Sequence, residues 1–204
     1  MVDNVPLFQP IFGEKWHQLP LVFKNHYAVR PYSRDQIKAQ GTITVKFSWL
    51  FRVLSPFIHC FGILPPYRAN QIPITVFYSC APDPSAFCFN RIFYYPKREF
   101  AFQSKMIPLG KNQIVELTKS RFGWKCAYDY ENNKVKLKHQ GFIWKFFSWM
   151  IPLPISLILG KCHAEENAIS ETAFNMHMQF IHPLFGVTYE YYGTFEIVEI
   201  KVND

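Results

Sequence analysis

The stretch that decides the fold is AFCFNRIFYY, at residues 86–95. Apolar and polar residues alternate in its first half, and aromatic side chains favour the extended backbone of a strand. Because successive side chains of a strand point to opposite faces, one face carries a single charge among aromatic rings: Phe87, Phe89, Arg91, Phe93 and Tyr95. The pattern therefore predicts a strand with an aromatic face, and it places Arg91 on that face.

Segments of the same kind lie on both sides of this strand. Hydrophobic residues make up 49% of the 204-residue chain and aromatic residues 18%, which excludes a disordered chain. Short helices are predicted within residues 7–29 and 48–62, the second broken near Pro56. Asn132 and Asn133 suit a tight hairpin turn, since asparagine tolerates positive φ. Further strands are predicted at residues 40–47, 74–80, 99–107, 113–119, 122–130 and 133–139, and in three segments after residue 160.

The predicted architecture is mainly β (α+β), in a single domain over residues 1–204. About nine or ten short strands, joined mostly by hairpins, are expected together with two or three short helices. Such a meander indicates a large curved antiparallel sheet or a partly closed β-barrel. No linker or low-complexity tail divides the chain.

The most apolar stretch, GFIWKFFSWMIPLPISLILG at residues 141–160, poses a separate question. A membrane-spanning helix is rejected, because Lys145, Pro152 and Pro154 leave too short an uninterrupted apolar run. We predict a short aromatic helix at residues 142–150, followed by an extended segment that contains the prolines. The stretch either caps one end of a β core or contacts a membrane. The candidate membrane-contact residues are Lys138, Trp144, Lys145 and Trp149.

The net charge of +7 is concentrated in one part of the chain. Residues 97–145 contain eleven basic and four acidic residues, whereas the remainder is balanced at eleven of each. Such a field favours an anionic partner, such as lipid head groups, a phosphorylated metabolite or nucleic acid. The alternative is a solvated basic face that aids solubility. Nucleic acid is the least favoured partner, because no RNP-like or OB-type pattern is visible.

Arg91 is the most informative polar residue. Burying an arginine alone would cost several kcal/mol, so a carboxylate or phosphate is required nearby. The first candidate is Glu116, the one charge on its strand face; the second is Glu165, on a later strand, and His26 would join the same cluster. An internal salt bridge that fixes strand register is the alternative to a ligand-facing cluster. The candidate ligand-binding residues are Arg91, Glu116, Glu165, His26, Phe89, Phe93 and Tyr192.

Several catalytic and cofactor motifs are absent from the sequence. It contains no G-x-G-x-x-G nucleotide motif, no G-x-S-x-G nucleophile elbow and no C-x-x-C pair. His163 and Glu165 share a strand face, but the sequence names no third or fourth metal ligand. No cofactor is therefore predicted, whereas a hydrolase or isomerase that uses His26, Glu116 or Glu165 stays open.

Motifs along nearly the whole chain resemble those of the domain-of-unknown-function family 4166 (DUF4166). They include LPLVFKNHY near the start, then GILPPYRANQIPITV, NRIFYY and CHAEEN, and HPLFGVTYEYYGTFEI near the end. Members usually carry tryptophan two residues before the central-strand arginine, where this chain has Phe89. The domain is also found fused behind saccharopine-dehydrogenase-like reductases. The resemblance therefore implies a shared fold and a reductase as a candidate partner, but no established activity.

These observations predict non-catalytic binding of a lipid or other amphiphile in an apolar cavity. Arg91 would pair with Glu116 or contact an acidic head group, and the aromatic rows would hold the apolar tail. The alternatives are a small-molecule enzyme that uses the buried Arg/Glu/His cluster, and an interaction module for an oxidoreductase. Because no secretory signal is recognised, we expect a cytoplasmic protein, with peripheral contact to an anionic membrane surface as a further expectation.

Overall fold

A closed antiparallel β-barrel forms the body of the protein. The computed structural model describes residues 5–62, 64–81 and 86–202, without the side chains of residues 57 and 59–61. These residues contain eleven strands, ten of which form the barrel. In chain order the strands are β1 Gln36–Phe47, β2 Ala69–Cys80, β3 Phe87–Tyr95, β4 Arg98–Gly110, β5 Gln113–Thr118, β6 Phe122–Glu131, β7 Lys134–Phe146, β8 Trp149–Leu153, β9 Lys161–Ala168, β10 Ala173–His182 and β11 Gly186–Lys201.

The barrel is an up-and-down meander. From β1 to β7 each strand pairs with the next, β9, β10 and β11 follow, and β11 returns to pair with β1. The pairings of β7 with β6 and with β9 complete the ring. The prediction of a mainly β fold is confirmed, but the barrel is closed rather than partly closed. Closure leaves none of the ten strands with an unpaired edge along its whole length.

β8 lies outside the ring, and it corrects the helix predicted at residues 142–150. Residues 142–146 are the second half of β7, Phe147 lies in a turn, and β8 pairs back with β7. The aromatic residues of this stretch favour strands, and β6 provides a ladder of partners for residues 142–144. A helix would leave that ladder without its hydrogen bonds. The helix prediction was therefore wrong, because the pairing with β6 outweighs the local pattern.

One end of the barrel is closed by the N-terminal residues 5–30, which we call the plug. Its helical segments are α1 Gln9–Phe12, a 3-10 helix Gly13–Gln18 and α2 Leu21–His26, as the prediction for residues 7–29 expected. The ring centroid of Phe8 lies 4.9 Å from that of Phe87 and 5.1 Å from that of Tyr128. These rings are buried, so aromatic packing seals this end of the barrel.

The opposite end is covered by two helices, α3 (Trp49–Phe61) and α4 (Ser156–Leu159), which we call the cap. α3 confirms the helix predicted within residues 48–62, but it continues through Pro56, where the sequence predicted a break. Its first turn is anchored by Phe51, whose ring centroid lies 4.5 Å from that of Tyr189 in β11. Both rings are fully buried, so the start of α3 is fixed to the barrel by apolar contact.

α4 lies over a split in the barrel wall. β9 pairs with β7 only at residues 134–137, whereas the second half of β7 pairs with β8. α4 bridges the gap: Ser156 Oγ lies 3.0 Å from Nε2 of His139 in β7, and the carbonyl oxygen of Leu157 lies 3.0 Å from Nε2 of His182 in β10. A helix of 4 residues thus closes this part of the wall.

Candidate functional site

Two small cavities lie one behind the other inside the barrel. The outer cavity, beneath the cap, has a volume of about 50 Å³, and the inner cavity, beside the plug, about 30 Å³. Each has room for one or two water molecules. The outer cavity is lined mostly by apolar side chains, among them Leu64, Phe102, Trp124, Phe142, Ile155, Leu159 and Phe180. The inner cavity also has polar walls, formed by His26, Tyr78, Arg91 and Glu166.

A buried ion pair separates the two cavities. Arg91 lines the inner cavity and Glu116 the outer one, and Arg91 Nη2 donates a hydrogen bond of 2.7 Å to Glu116 Oε1. Ser104 Oγ donates to the same carboxylate oxygen. The three residues lie on the adjacent strands β3, β4 and β5, so antiparallel register brings them together. The prediction of Glu116 as the partner of Arg91 is confirmed.

Aromatic rings enclose the guanidinium of Arg91. Its Cζ atom lies 4.6 Å from the ring centroid of Phe89 and 4.9 Å from that of Phe102. Burial alone would lower the pKa of Arg91, but the charge of Glu116 raises it above its ordinary value, so the side chain stays charged. Phe89 and Phe93 both line the inner cavity, on the face that strand alternation predicted.

Two side chains of the inner cavity have polar atoms without a hydrogen-bond partner among the described residues. These atoms are Arg91 Nη1 and both ring nitrogens of His26. The His26 ring lies against those of Tyr27, Tyr78 and Phe174, at centroid distances of 4.3, 4.5 and 4.8 Å. Burial lowers the pKa of His26 to about 3, so the imidazole is neutral, with one donor and one acceptor nitrogen. Unpartnered buried polar atoms are rare in folded proteins, and they mark this cavity as a candidate binding site.

Glu166 is the carboxylate that β9 contributes to the inner cavity, and sequence analysis missed it. The hydroxyl of Tyr27 donates a hydrogen bond of 2.7 Å to Glu166 Oε2. Burial raises the pKa of Glu166 to about 7, and the hydrogen bond from Tyr27 lowers it in part. Glu166 shares the inward face of β9 with Cys162 and Ala164. That short apolar alternation is the sequence signal that identifies Glu166 as buried.

Two of the predicted ligand-binding residues have side chains that point away from the barrel interior. Glu165 faces solvent, and its carboxylate pairs with Lys134 Nζ at 2.9 Å. Tyr192 also faces outward, with Lys46 Nζ 5.0 Å from its ring centroid, whereas the adjacent Tyr191 lines both cavities. Their expected place inside the barrel was therefore wrong, for the same reason in both cases. Adjacent strand residues of similar type do not reveal which of the two points inward.

The predicted membrane-contact residues fall into two groups. Trp144 and Trp149 are exposed, at 37% and 74%, and together with Lys145 they lie beside the β7–β8 turn at the cap end. Lys138 lies in the half of β7 nearer the plug. Its Nζ atom donates to two carboxylates of β6, those of Asp129 (3.0 Å) and Glu131 (2.8 Å). Lys138 is therefore neutralised locally and does not lie beside the tryptophans.

These features define a closed ten-stranded antiparallel β-barrel with a buried Arg–Glu pair between two interior cavities. Within the described residues, no helix is long and apolar enough to cross a membrane. The chain belongs to the family described as Domain of unknown function (DUF4166), whose model matches residues 19–195. The matched range includes every predicted site residue from His26 to Tyr192. The resemblance found in the sequence motifs is thereby confirmed.

Comparison with solved structures finds a distant structural neighbour. The crystal structure of Rv2717c from M. tuberculosis is similar to this chain with a TM-score of 0.42 and 7% sequence identity. The alignment covers 92% of this chain and 99% of that chain. No curated protein matches the sequence.

Proposed function

We propose that the barrel interior binds a lipid or other small amphiphile without catalysing a reaction. The observation that carries the proposal is the polar wall of the inner cavity. Arg91 Nη1 and both His26 nitrogens are buried there without a partner among the described residues. A ligand oxygen that accepts from Arg91 Nη1 and from the donor nitrogen of His26 would satisfy two of these three atoms. Because an unsatisfied buried polar group costs about 1–3 kcal/mol, satisfying it strengthens binding.

The charges around the inner cavity indicate which kind of ligand group can bind to Arg91 and His26. Glu116 already neutralises Arg91, and Glu166 lines the same cavity, so a second anion would add negative charge to a closed site. An uncharged oxygen acceptor needs no compensating cation. We therefore infer that the ligand group that contacts Arg91 is the carbonyl of a protonated carboxylic acid, an ester or an amide. This group replaces the acidic head group that was expected from the sequence.

The outer cavity would take the apolar part of the ligand. Its volume of about 50 Å³ is far below the roughly 300–1,000 Å³ of an ordinary ligand pocket, so an acyl chain enters only when the cap moves. α4 is the segment that has to move. It closes the split between β7 and β9, and Leu159 on α4 lines the outer cavity.

Peripheral membrane contact at the cap end is part of the same proposal. This end carries a group of exposed apolar side chains, among them Trp49, Trp149, Leu157, Ile158, Leu184 and Phe185. Tryptophan and large aliphatic side chains are favoured at the bilayer interface. A ligand that leaves a bilayer beneath α4 would reach the outer cavity without crossing water.

A catalytic function is the second candidate, and Glu166 favours it. A carboxyl group with a pKa of about 7, bonded to the Tyr27 hydroxyl and on the same cavity as His26, is suited to general acid–base catalysis. A hydrolase or isomerase would then use Glu166 in the role expected of Glu116 or Glu165. The oxidoreductase partner implied by the family resemblance stays a prediction.

Native mass spectrometry of freshly purified protein, followed by organic extraction, tests the binding proposal. We expect a stoichiometric amphiphile in the wild type and its loss in His26→Phe. The phenyl ring should preserve the fold, because His26 packs among aromatic rings and its nitrogens have no partner among the described residues. His177→Phe is the matched control, since His177 is half exposed on the outer face and should retain the ligand.

A bare protein mass in all samples, with no uptake of oleic acid or methyl oleate by tryptophan fluorescence, would refute the proposal. Uptake of methyl oleate followed by release of oleic acid would favour the hydrolase. In that case the activity should disappear in Glu166→Gln, while binding of methyl oleate persists.

A further inference from the structure

A groove on the outer wall brings together four basic side chains. It has a volume of about 560 Å³ and runs across β3, β4 and β5 to the β5–β6 turn. Its basic residues are Lys105, Lys119, Arg121 and Lys145. The described residues that line it include no aspartate or glutamate, so its electrostatic field is uniformly positive.

The other lysines of the basic segment differ from those of the groove. Along β7, Lys134, Lys136 and Lys138 form ion pairs with glutamates at distances of 2.9, 3.3 and 2.8 Å. No salt bridge joins any of the four groove cations to an acidic group in the described part of the chain. Of the eleven basic residues at 97–145, four therefore line the groove without a salt bridge, whereas the three lysines at residues 134–138 of β7 are paired with carboxylates.

The groove offers donors for an anion and an apolar floor for a chain attached to it. Asn90 and Gln103 add side-chain amides to the four cations, and Ile107 and Leu117 form part of the floor. Phosphate oxygens accept charge-assisted hydrogen bonds from lysine and arginine. The combination fits a phosphate that carries an apolar substituent.

The groove is joined to an exposed aromatic turn. The backbone N–H of Lys145 donates to the carbonyl of Arg121 at 2.9 Å, which fixes the β5–β6 turn beside the end of β7. The adjacent β7–β8 turn exposes Phe147 at 73% and Trp149 at 74%. Aromatic residues beside unpaired cations are typical of surfaces that contact anionic bilayers.

We propose that the groove and the β7–β8 turn dock the barrel on an anionic phospholipid bilayer. Lipid phosphates bind Lys119 and Arg121, while Phe147 and Trp149 enter the interface. This docking rests on the membrane contact of the proposed function. It makes that contact more specific, because the basic residues that meet the bilayer are those of the groove instead of Lys138. Both turns lie at the cap end, so docking turns the cap and α4 towards the lipid.

Co-sedimentation with vesicles tests the charged part of the site. Vesicles of phosphatidylcholine mixed with phosphatidylserine should bind the protein, and vesicles of phosphatidylcholine alone should bind it far less. Lys119→Ala/Arg121→Ala should weaken binding by about 30-fold, at roughly fivefold per basic residue. Lys134→Ala/Lys138→Ala removes the same charge nearer the plug, where salt screens it from the bilayer, and should change binding by less than about threefold.

A double variant and its matched control test the aromatic part of the docking site. Phe147→Ser/Trp149→Ser should lower vesicle binding by at least tenfold, on the order of the loss of two apolar anchors. Leu21→Ser/Tyr32→Ser changes exposed apolar residues at the plug end and should leave binding unchanged.

Equal losses in the two double variants that remove basic residues would overturn the docking site, because net charge alone would then explain the binding. Inorganic phosphate that perturbs NMR signals of the groove, without any binding to vesicles, would overturn it in favour of a soluble phosphate ligand. The groove variants should retain the co-purified amphiphile, and His26→Phe should retain vesicle binding. Failure of docking is therefore distinguishable from failure of the interior binding site.

Discussion

The plug and the cap close the two ends of the barrel in different ways. At the plug, the buried rings of Phe8 and Tyr27 pack at a centroid distance of 4.6 Å, and Lys15 Nζ is bonded to Asp129 of β6. At the cap, α4 has 4 residues, and Leu157 is exposed at 77%. Hydrogen bonds hold α4 over the split in the wall, whereas apolar burial holds the plug inside the barrel.

Under the proposed function, this difference separates stability, at the plug, from ligand access, at the cap. Buried apolar area stabilises the fold by about 25 cal/mol per Å², so the plug stabilises the fold and the exposed cap side chains contribute little. Contiguous exposed apolar side chains mark surfaces that meet a partner. Segments that open for a ligand come from the less stable parts of a protein, and the short α4, with Leu157 exposed, is the segment that we propose to open.

The largest expected effect is at the plug. Phe8→Ala should lower the free energy of unfolding by about 3–5 kcal/mol, because it leaves a cavity among buried aromatic rings. Phe147→Ala, at the exposed β7–β8 turn, should change it by no more than about 0.5 kcal/mol. Urea denaturation measures both. Similar losses in the two variants would contradict the separation of stability and access.

The ion pair between the two cavities comes next. Arg91→Met leaves the carboxylate of Glu116 without its cation and should cost about 3 kcal/mol at neutral pH, as for other broken buried pairs. Adding Glu116→Gln removes the uncompensated charge and should restore part of the stability, as measured by urea denaturation. A further loss in the double variant would mean that the carboxylate is not the source of the cost.

Glu166 makes stability near the plug depend on pH. Because its pKa is raised from 4.5 to about 7, the folded protein holds a proton that the unfolded chain has released. This stabilisation is complete below the unfolded pKa and is lost as the pH rises through the folded value. The free energy of unfolding of Glu166→Gln should therefore equal that of the wild type at about pH 5. At about pH 8 it should exceed the wild-type value by about 2 kcal/mol.

His26 makes the free energy of unfolding depend on pH in the opposite sense. The effect of Glu166 is therefore measured as the difference between the variant and the wild type. The pKa of His26 is lowered from 6.5 to about 3, and its contribution is present above the unfolded pKa and lost as the pH falls through the folded value. Subtracting the wild-type unfolding free energy from that of Glu166→Gln at each pH cancels the His26 contribution. A difference that stays constant across this range would contradict the raised pKa of Glu166.

The smallest expected effect is at α4. Thr188 Oγ1 donates a hydrogen bond of 2.7 Å to the carbonyl of Leu159, and Thr188→Val should cost about 1 kcal/mol. Hydrogen exchange should accelerate at the amide of Gly160, which closes α4 on Ser156, and stay unchanged in the plug. Thr194→Val, on the outer face, is the control. Equal acceleration at both ends would show that α4 does not open independently.

The residues of the ion pair show where sequence patterns suffice. In β3, aromatic residues alternate with smaller or polar ones, so the inward face is evident and includes Arg91. Glu116 followed as its partner, because it is the one charge on its strand face. In β3 the opposite assignment would bury Asn90 and leave the aromatic rings exposed, so the burial energy favours the observed face. In β5 the opposite face carries the apolar Val115 and Leu117, so only the need of Arg91 for a carboxylate pointed to Glu116.

The same reasoning failed where neighbouring residues are alike. Glu165 and Glu166 carry the same group, as do Tyr191 and Tyr192, and alternation alone does not say which member of each pair faces inward. The unpartnered nitrogens of His26 were also beyond the sequence, because its neighbours come from separate elements of the fold. These are the residues that distinguish a plain core from a candidate binding site.

The sequence by itself determined that the chain is a β meander with Arg91 on an inward face, because the alternation of apolar and polar side chains is a local property. Glu116 followed from the need of the buried Arg91 for a carboxylate partner. Only the tertiary structure decided that residues 142–146 form a strand on β6, that Lys138 is neutralised while Lys119 and Arg121 are not, and that α4 closes a split in the wall. The physical reason is that backbone pairing and charge pairing depend on partners that are distant in the chain.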